Sequence, residues 1–106
     1  MSRHSVLARY RGQEVTVVAG YDRPMNDLFL QVFALDKEPR NPEERVLYDS
    51  LHEPALDWTD IDTVANKLME FGVDVPETLL EAVYLDQLFK VGNRIVWHTP
   101  HSQARV

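Results

Sequence analysis

Val6-Leu7-Ala8-Arg9-Tyr10-Arg11-Gly12-Gln13-Glu14-Val15-Thr16-Val17-Val18-Ala19 decides how the fold is read. Apolar and polar residues alternate on both sides of Gly12, the period of a strand with one buried face. Gly12-Gln13 at the centre of a two-residue turn suits type II′ geometry, which calls for Gly in the first central position. That turn sets Arg11 opposite Glu14, a pair of opposite charge. It then sets Tyr10 opposite Val15, Ala8 opposite Val17 and Val6 opposite Ala19, all on one face. Turn chemistry and alternation agree on a β-hairpin.

The chain on either side extends this pattern. Leu28 to Leu35 reads as a third strand with apolar residues on both faces, hence a central strand covered on both sides. Asp36 to Pro42 is a polar loop with two prolines, and Glu44 to Ser50 is a fourth strand near an edge. The period changes near Trp58. A first helix is expected from Asp60 to Phe71, with Thr59 and Asp62 resembling a capping box. Its stripe is Ile61, Val64, Ala65, Leu68 and Phe71, and Gly72 is its C-terminal stop. A second helix begins at Pro76, a good first helical residue. Leu79, Leu80 and Val83 make its first apolar face. Beyond Tyr84 the stripe moves: Asp86, Gln87 and Lys90 fall where it had been, and Leu85, Leu88 and Phe89 fall elsewhere. Such a helix either breaks near Tyr84 or buries its second half on another side. Val91-Gly92-Asn93 is a turn, Arg94 to His98 a last strand, and 99–106 a frayed tail. The expectation is one α+β domain over residues 1–106, an antiparallel sheet of about five strands with two helices on one face, in the order ββββααβ.

Composition narrows the functional classes. The chain has 106 residues and no Cys, which excludes disulfides, thiolate metal sites and a Cys nucleophile. No apolar run approaches the roughly 18–20 residues of a membrane span, and no secretory h-region follows Met1. These features are the basis for expecting a cytoplasmic protein. The net charge of −6 is uneven: residues 1–35 carry +1, residues 36–86 carry −10 and residues 87–106 carry +3. The middle segment has the wrong sign for phosphate backbones and the right sign for a basic protein surface. Arg9, Arg11 and Arg23 beside Tyr10 and Tyr21 are too few to reverse that.

The candidate binding residues fall in two places. Gly20-Tyr21-Asp22-Arg23-Pro24-Met25-Asn26-Asp27 reads as an eight-residue loop, longer than a tight hairpin needs. Its Tyr21, Asp22, Arg23 and Met25 are types able to make specific contacts, or a closed turn in which Tyr21 caps the core. Asp57, Asp60 and Asp62 cluster around Trp58, with Glu43, Glu44, Asp49 and Glu53 just before. Trp58 is either a core plug or an anchor for a partner. Catalysis has little support: there is no G-x-S-x-G, no G-x-G-x-x-G and no P-loop, and Ser5, Ser50 and Ser102 lack a motif around them. His4, His52, His98 and His101 have no fixed metal-ligand spacing. No cofactor is expected.

Gly20-Tyr21-Asp22-Arg23-Pro24, Leu28-Phe29-Leu30 and Val91-Gly92-Asn93-Arg94 resemble a group of small uncharacterised proteins of proteobacterial genomes and mobile elements. The resemblance implies no named activity and no catalytic residue. The expected function is therefore a small non-catalytic protein-binding module that meets a basic partner through its acidic surface and the Tyr21–Met25 loop. A sharper form is a mobile-element inhibitor, anti-CRISPR-like, whose carboxylates imitate nucleic-acid phosphates. One alternative is a homodimer assembled through Leu85, Leu88 and Phe89; another is a small metal-dependent enzyme using His52, His98 and His101.

Overall fold

A computed structural model describes residues 1–35 and 45–100. The expected Asp36–Pro42 loop, Glu43, Glu44, His101 and Ser102 lie outside the described residues. The elements are β1 (Ser2–Tyr10), β2 (Gln13–Asp22), β3 (Asp27–Ala34), β4 (Val46–Asp49), α1 (Ile61–Glu70), α2 (Glu77–Leu88) and β5 (Arg94–Trp97). A short 3-10 turn, Ser50–His52, follows β4. The order is ββββααβ in an α+β fold. The sheet runs β4-β3-β2-β1-β5, with β4 at one edge as its weak alternation suggests. It is mixed rather than wholly antiparallel, because β5 lies parallel to β1. The two helices carry the chain from β4 across to the far edge, where β5 enters in the direction of β1.

The hairpin differs from expectation by two residues. Tyr10 pairs with Gln13, Ala8 with Val15 and Val6 with Val17, so Arg11-Gly12 forms the turn. Both turn residues have positive φ, 52° and 77°, the signature of type I′ rather than II′. A one-residue slip would have turned every side chain over; a two-residue slip keeps each on its face. The apolar face was therefore assigned correctly under the wrong register.

That face carries the core. Val6, Val15, Val17, Ala19, Tyr21, Leu28, Leu30 and Val32 pack against Trp58, Val64, Leu68, Leu79 and Val83 from the helical side. Each fully buried aliphatic side chain contributes about 1.5–3 kcal/mol over exposure. The opposite face of β3 carries half-buried Phe29, Gln31 and Phe33. Both helices pack on the first face, so β3 is covered on one side among the described residues, not on both.

Helix α1 ends where expected. Gly72 has φ 69°, Val73 N–H donates to the Leu68 carbonyl and Gly72 N–H to that of Met69, a Schellman stop. Its N-cap is Asp60, whose carboxylate accepts from Asp62 N–H at 2.9 Å, so the Thr59 capping box does not form. Pro76 caps α2 from the residue before its first turn rather than occupying that turn.

Helix α2 does not break near Tyr84. It runs unbroken through Leu88, and its buried positions are Leu79, Val83 and Asp86. These lie at i, i+4 and i+7, one face of one helix. The stripe looked displaced because its third member is a carboxylate. Asp86 is 1% exposed, and β1 places the equally buried His4 against it. His4 Nε2 donates to Asp86 Oδ2 at 2.6 Å, and Arg94 Nη1 reaches Asp86 Oδ1 at 3.4 Å. Those bonds meet the cost of burying the carboxylate. Leu85, Leu88 and Phe89 consequently face outward, 48%, 57% and 71% exposed. No helix among the described residues is long and apolar enough to cross a membrane.

Candidate binding groove

The loop between β2 and β3 is shorter than its sequence suggests. Pairing continues to Asp22 opposite Asp27, which leaves Arg23-Pro24-Met25-Asn26 as the connection. Asn26 takes positive φ, 55°, and its N–H donates to the Arg23 carbonyl at 3.2 Å. Pro24 fits the fixed φ of a turn, and Asn tolerates the left-handed region. The Tyr21 side chain is buried and its hydroxyl donates to Asn26 Oδ1 at 2.7 Å. Tyr21 thus caps the core and braces the turn. Arg23 turns away from this side and lies beside Gly92.

The segment leading into α1 docks on the same end of the sheet. Leu28 N–H donates to the Trp58 carbonyl at 2.7 Å. The Trp58 ring is 8% exposed, a core plug, and its Nε1 donates to the Glu53 carbonyl at 2.8 Å. Asp57 accepts from both the backbone N–H and the hydroxyl of Thr59. These two bonds, the hydroxyl's first, hold the Asp57 carboxyl below its ordinary range. Asp60 is engaged in capping, and Asp62 lies exposed in the first turn of α1.

Between the hairpin and this segment lies a groove of about 390 Å³, in the size range of ligand pockets. Its floor and walls include Met25, Phe29, Leu51, Pro54 and Leu56, and three carboxylates stand around it: Asp22, Asp27 and Asp57. Among the described residues no Lys or Arg lines it. Met25 and Leu51 are 68% and 77% exposed, large apolar side chains held out at the groove's edges. Of the eight residues singled out from sequence, Asp22, Met25, Asp57 and Trp58 meet here; Tyr21, Arg23, Asp60 and Asp62 do not line it. Sequence reasoning missed Asp27, Phe29, Leu51, Pro54 and Leu56. An apolar residue at an outward strand position, as Phe29 is, was the available signal.

Phe29 owes its position to Gly20. The two are paired across β2 and β3, and a Cβ on Gly20 would come within 2.8 Å of the Phe29 ring and overlap the Ser2 carbonyl oxygen. Gly20 therefore lets the ring and the start of β1 settle on the sheet together.

Elsewhere, Lys67 forms a second polar cluster. It is nearly buried and pairs with Glu53 at 3.0 Å and Glu70 at 2.9 Å, over the rings of Tyr48 and Phe71. Its bond to Glu70, then that to Glu53, raises the Lys67 pKa, and the Lys67 bond lowers that of Glu53. The three charged groups pair with one another, and the cluster reads as structural. Among the described residues no group of three His, Asp or Glu side chains is arranged to hold a metal ion. The chain matches no protein-family model, no curated protein and no solved structure.

Proposed function

We propose that this chain is a small non-catalytic protein-binding module, and that its groove takes a basic segment of a partner protein that carries an apolar anchor. The observation that carries this reading is the convergence of two distant stretches, the β2–β3 turn and the Asp57–Thr59 segment, on one cleft with an apolar lining and three carboxylates. Exposed apolar side chains supply the contact area, and like-signed charges around them select a partner of opposite sign. In its sharper form the module is an anti-CRISPR-like inhibitor, carried by a mobile element, whose carboxylates imitate phosphates on the basic surface of a nucleic-acid-binding enzyme. The −10 charge of residues 36–86 supports that form.

The test needs carboxylates that do not also hold the fold. Asp57 and Asp60 bond to backbone N–H groups, so reversing them would also disturb the entry to α1. Asp27 has no such role, and Asp22 makes one long contact, to Met25 N–H at 3.5 Å. Reversing both, Asp22→Lys with Asp27→Lys, should weaken retention of a Lys/Arg-rich peptide with one aromatic residue by about tenfold or more. Added salt should weaken the wild type in the same direction. Equal retention by both proteins at low salt would contradict the groove.

A second reading has its own observation. Leu85, Leu88 and Phe89 form an exposed apolar ridge on the second half of α2, which a second copy of the chain could cover. Sedimentation at low micromolar concentration should then give a dimer that Leu88→Asp dissociates. A monomeric wild type would end this reading and leave the groove untouched.

A further inference from the structure

The buried contact between His4 and Asp86 continues outward. His4 Nδ1 lies 2.9 Å from His98 Nε2, and the two rings tilt against each other at 5.1 Å between centroids. Asp86, His4 and His98 thus form one hydrogen-bonded chain from α2 through β1 to the residue that follows β5. Besides this chain, Arg94 Nη1 reaches Asp86 Oδ1 at 3.4 Å and the Met1 ammonium donates to Asn93 Oδ1 at 3.1 Å. Strand β5 is a four-residue edge strand, and its Ile95 and Trp97 are 75% and 63% exposed. Its attachments to β1 are the parallel ladder, the Arg94 N–H to the Met1 carbonyl at 3.4 Å and the His98 N–H to the Ser5 carbonyl at 2.8 Å.

We propose that the His98–His4–Asp86 chain is a proton-operated latch that holds β5 to the sheet at neutral pH and releases it on mild acidification. The reason is a count of hydrogens. Asp86 accepts, so His4 Nε2 carries a hydrogen. One further hydrogen lies between His4 Nδ1 and His98 Nε2, and it can belong to either ring. The pair therefore accommodates one positive charge. With both rings protonated, two N–H groups face each other across 2.9 Å and the bond becomes a repulsion. Among the described residues the charged groups facing His98 are His4 from β1 and Arg94 from β5, with Asp86 of α2 reached only through His4. Burial first, then His4 and Arg94, holds His98 below the ordinary imidazole range.

Once β5 is released, the His98 imidazole takes up a proton near about pH 6.5. The latched state binds fewer, so its stability is present above that pH and is lost as pH falls toward the lowered His98 value. Release would leave β1 as the edge strand, with unpaired backbone groups open to another strand.

Amide hydrogen exchange, expressed as protection relative to the unstructured rate, tests this directly. Between about pH 7.5 and about pH 5 the His98 amide should lose about tenfold or more in protection, while those of Val17 and Leu30 in the central strands hold. In His98→Gln, which can still bond to His4 but does not titrate in this range, that loss should shrink to no more than that of the central strands. Protection at His98 that is independent of pH in the wild type would overturn the latch. So would a wild-type loss that His98→Gln reproduces in full.

Discussion

Asp86→Ala should lower the unfolding free energy by about 3–5 kcal/mol, measured by urea denaturation at neutral pH. The side chain is small and the loss of volume modest, so packing alone would not cost so much. The cost arises from what is left behind. His4 is fully buried and points Nε2 at the missing oxygen, 2.6 Å away in the wild type. An imidazole N–H in that position loses its acceptor. Replacing both partners with Leu should recover much of the loss, because an apolar pair of similar size continues the Leu79–Val83 face. A loss below about 1 kcal/mol for Asp86→Ala would mean that the carboxylate is not the partner of a buried donor.

Gly20→Ala should cost roughly 2–4 kcal/mol, from overpacking and a lost hydrogen bond together. The added methyl overlaps the Ser2 carbonyl oxygen and crowds the Phe29 ring. The strands can relieve this only by moving the start of β1 outward. That movement would break the bond from Tyr21 N–H to Ser2 Oγ, 3.0 Å in the wild type, in which both groups are buried. The same end of β1 holds β5, through Ser2 opposite Arg94. The substitution should therefore also expose the β5 amides to exchange, which a simple loss of propensity would not do. Wild-type stability in Gly20→Ala would contradict the close approach of β1 and β2.

The two sites show what a sequence encodes openly and what it does not. Strand alternation in Val6–Ala19 is local, and it assigned every side chain of the hairpin to its face although the turn lies one residue earlier than expected. Gly72 was legible for the same reason, since a left-handed residue after a periodic helix has few other uses. Helix α2 was misread because amphipathicity equates buried with apolar. Asp86 is buried by virtue of a residue 82 positions away, and no local pattern carries that information. The −10 segment pointed to carboxylates near Trp58, but Thr59 claims Asp57, helix capping claims Asp60, and Trp58 itself is a core plug. The groove became visible only when Asp27, Phe29 and Leu51 were brought beside Met25 and Asp57 by pairing between strands and by the Leu28–Trp58 backbone bond.

An amide-resolved NMR titration with a Lys/Arg-rich peptide carrying one aromatic residue, against a Glu-rich peptide as control, asks whether the groove binds. The basic peptide should shift Met25, Asp27, Phe29, Leu51 and Leu56, weaken with salt and lose its effect in the Asp22→Lys, Asp27→Lys protein. Shifts confined to Leu85, Leu88 and Phe89, or equal shifts with the acidic peptide, would contradict a groove built to hold a basic partner.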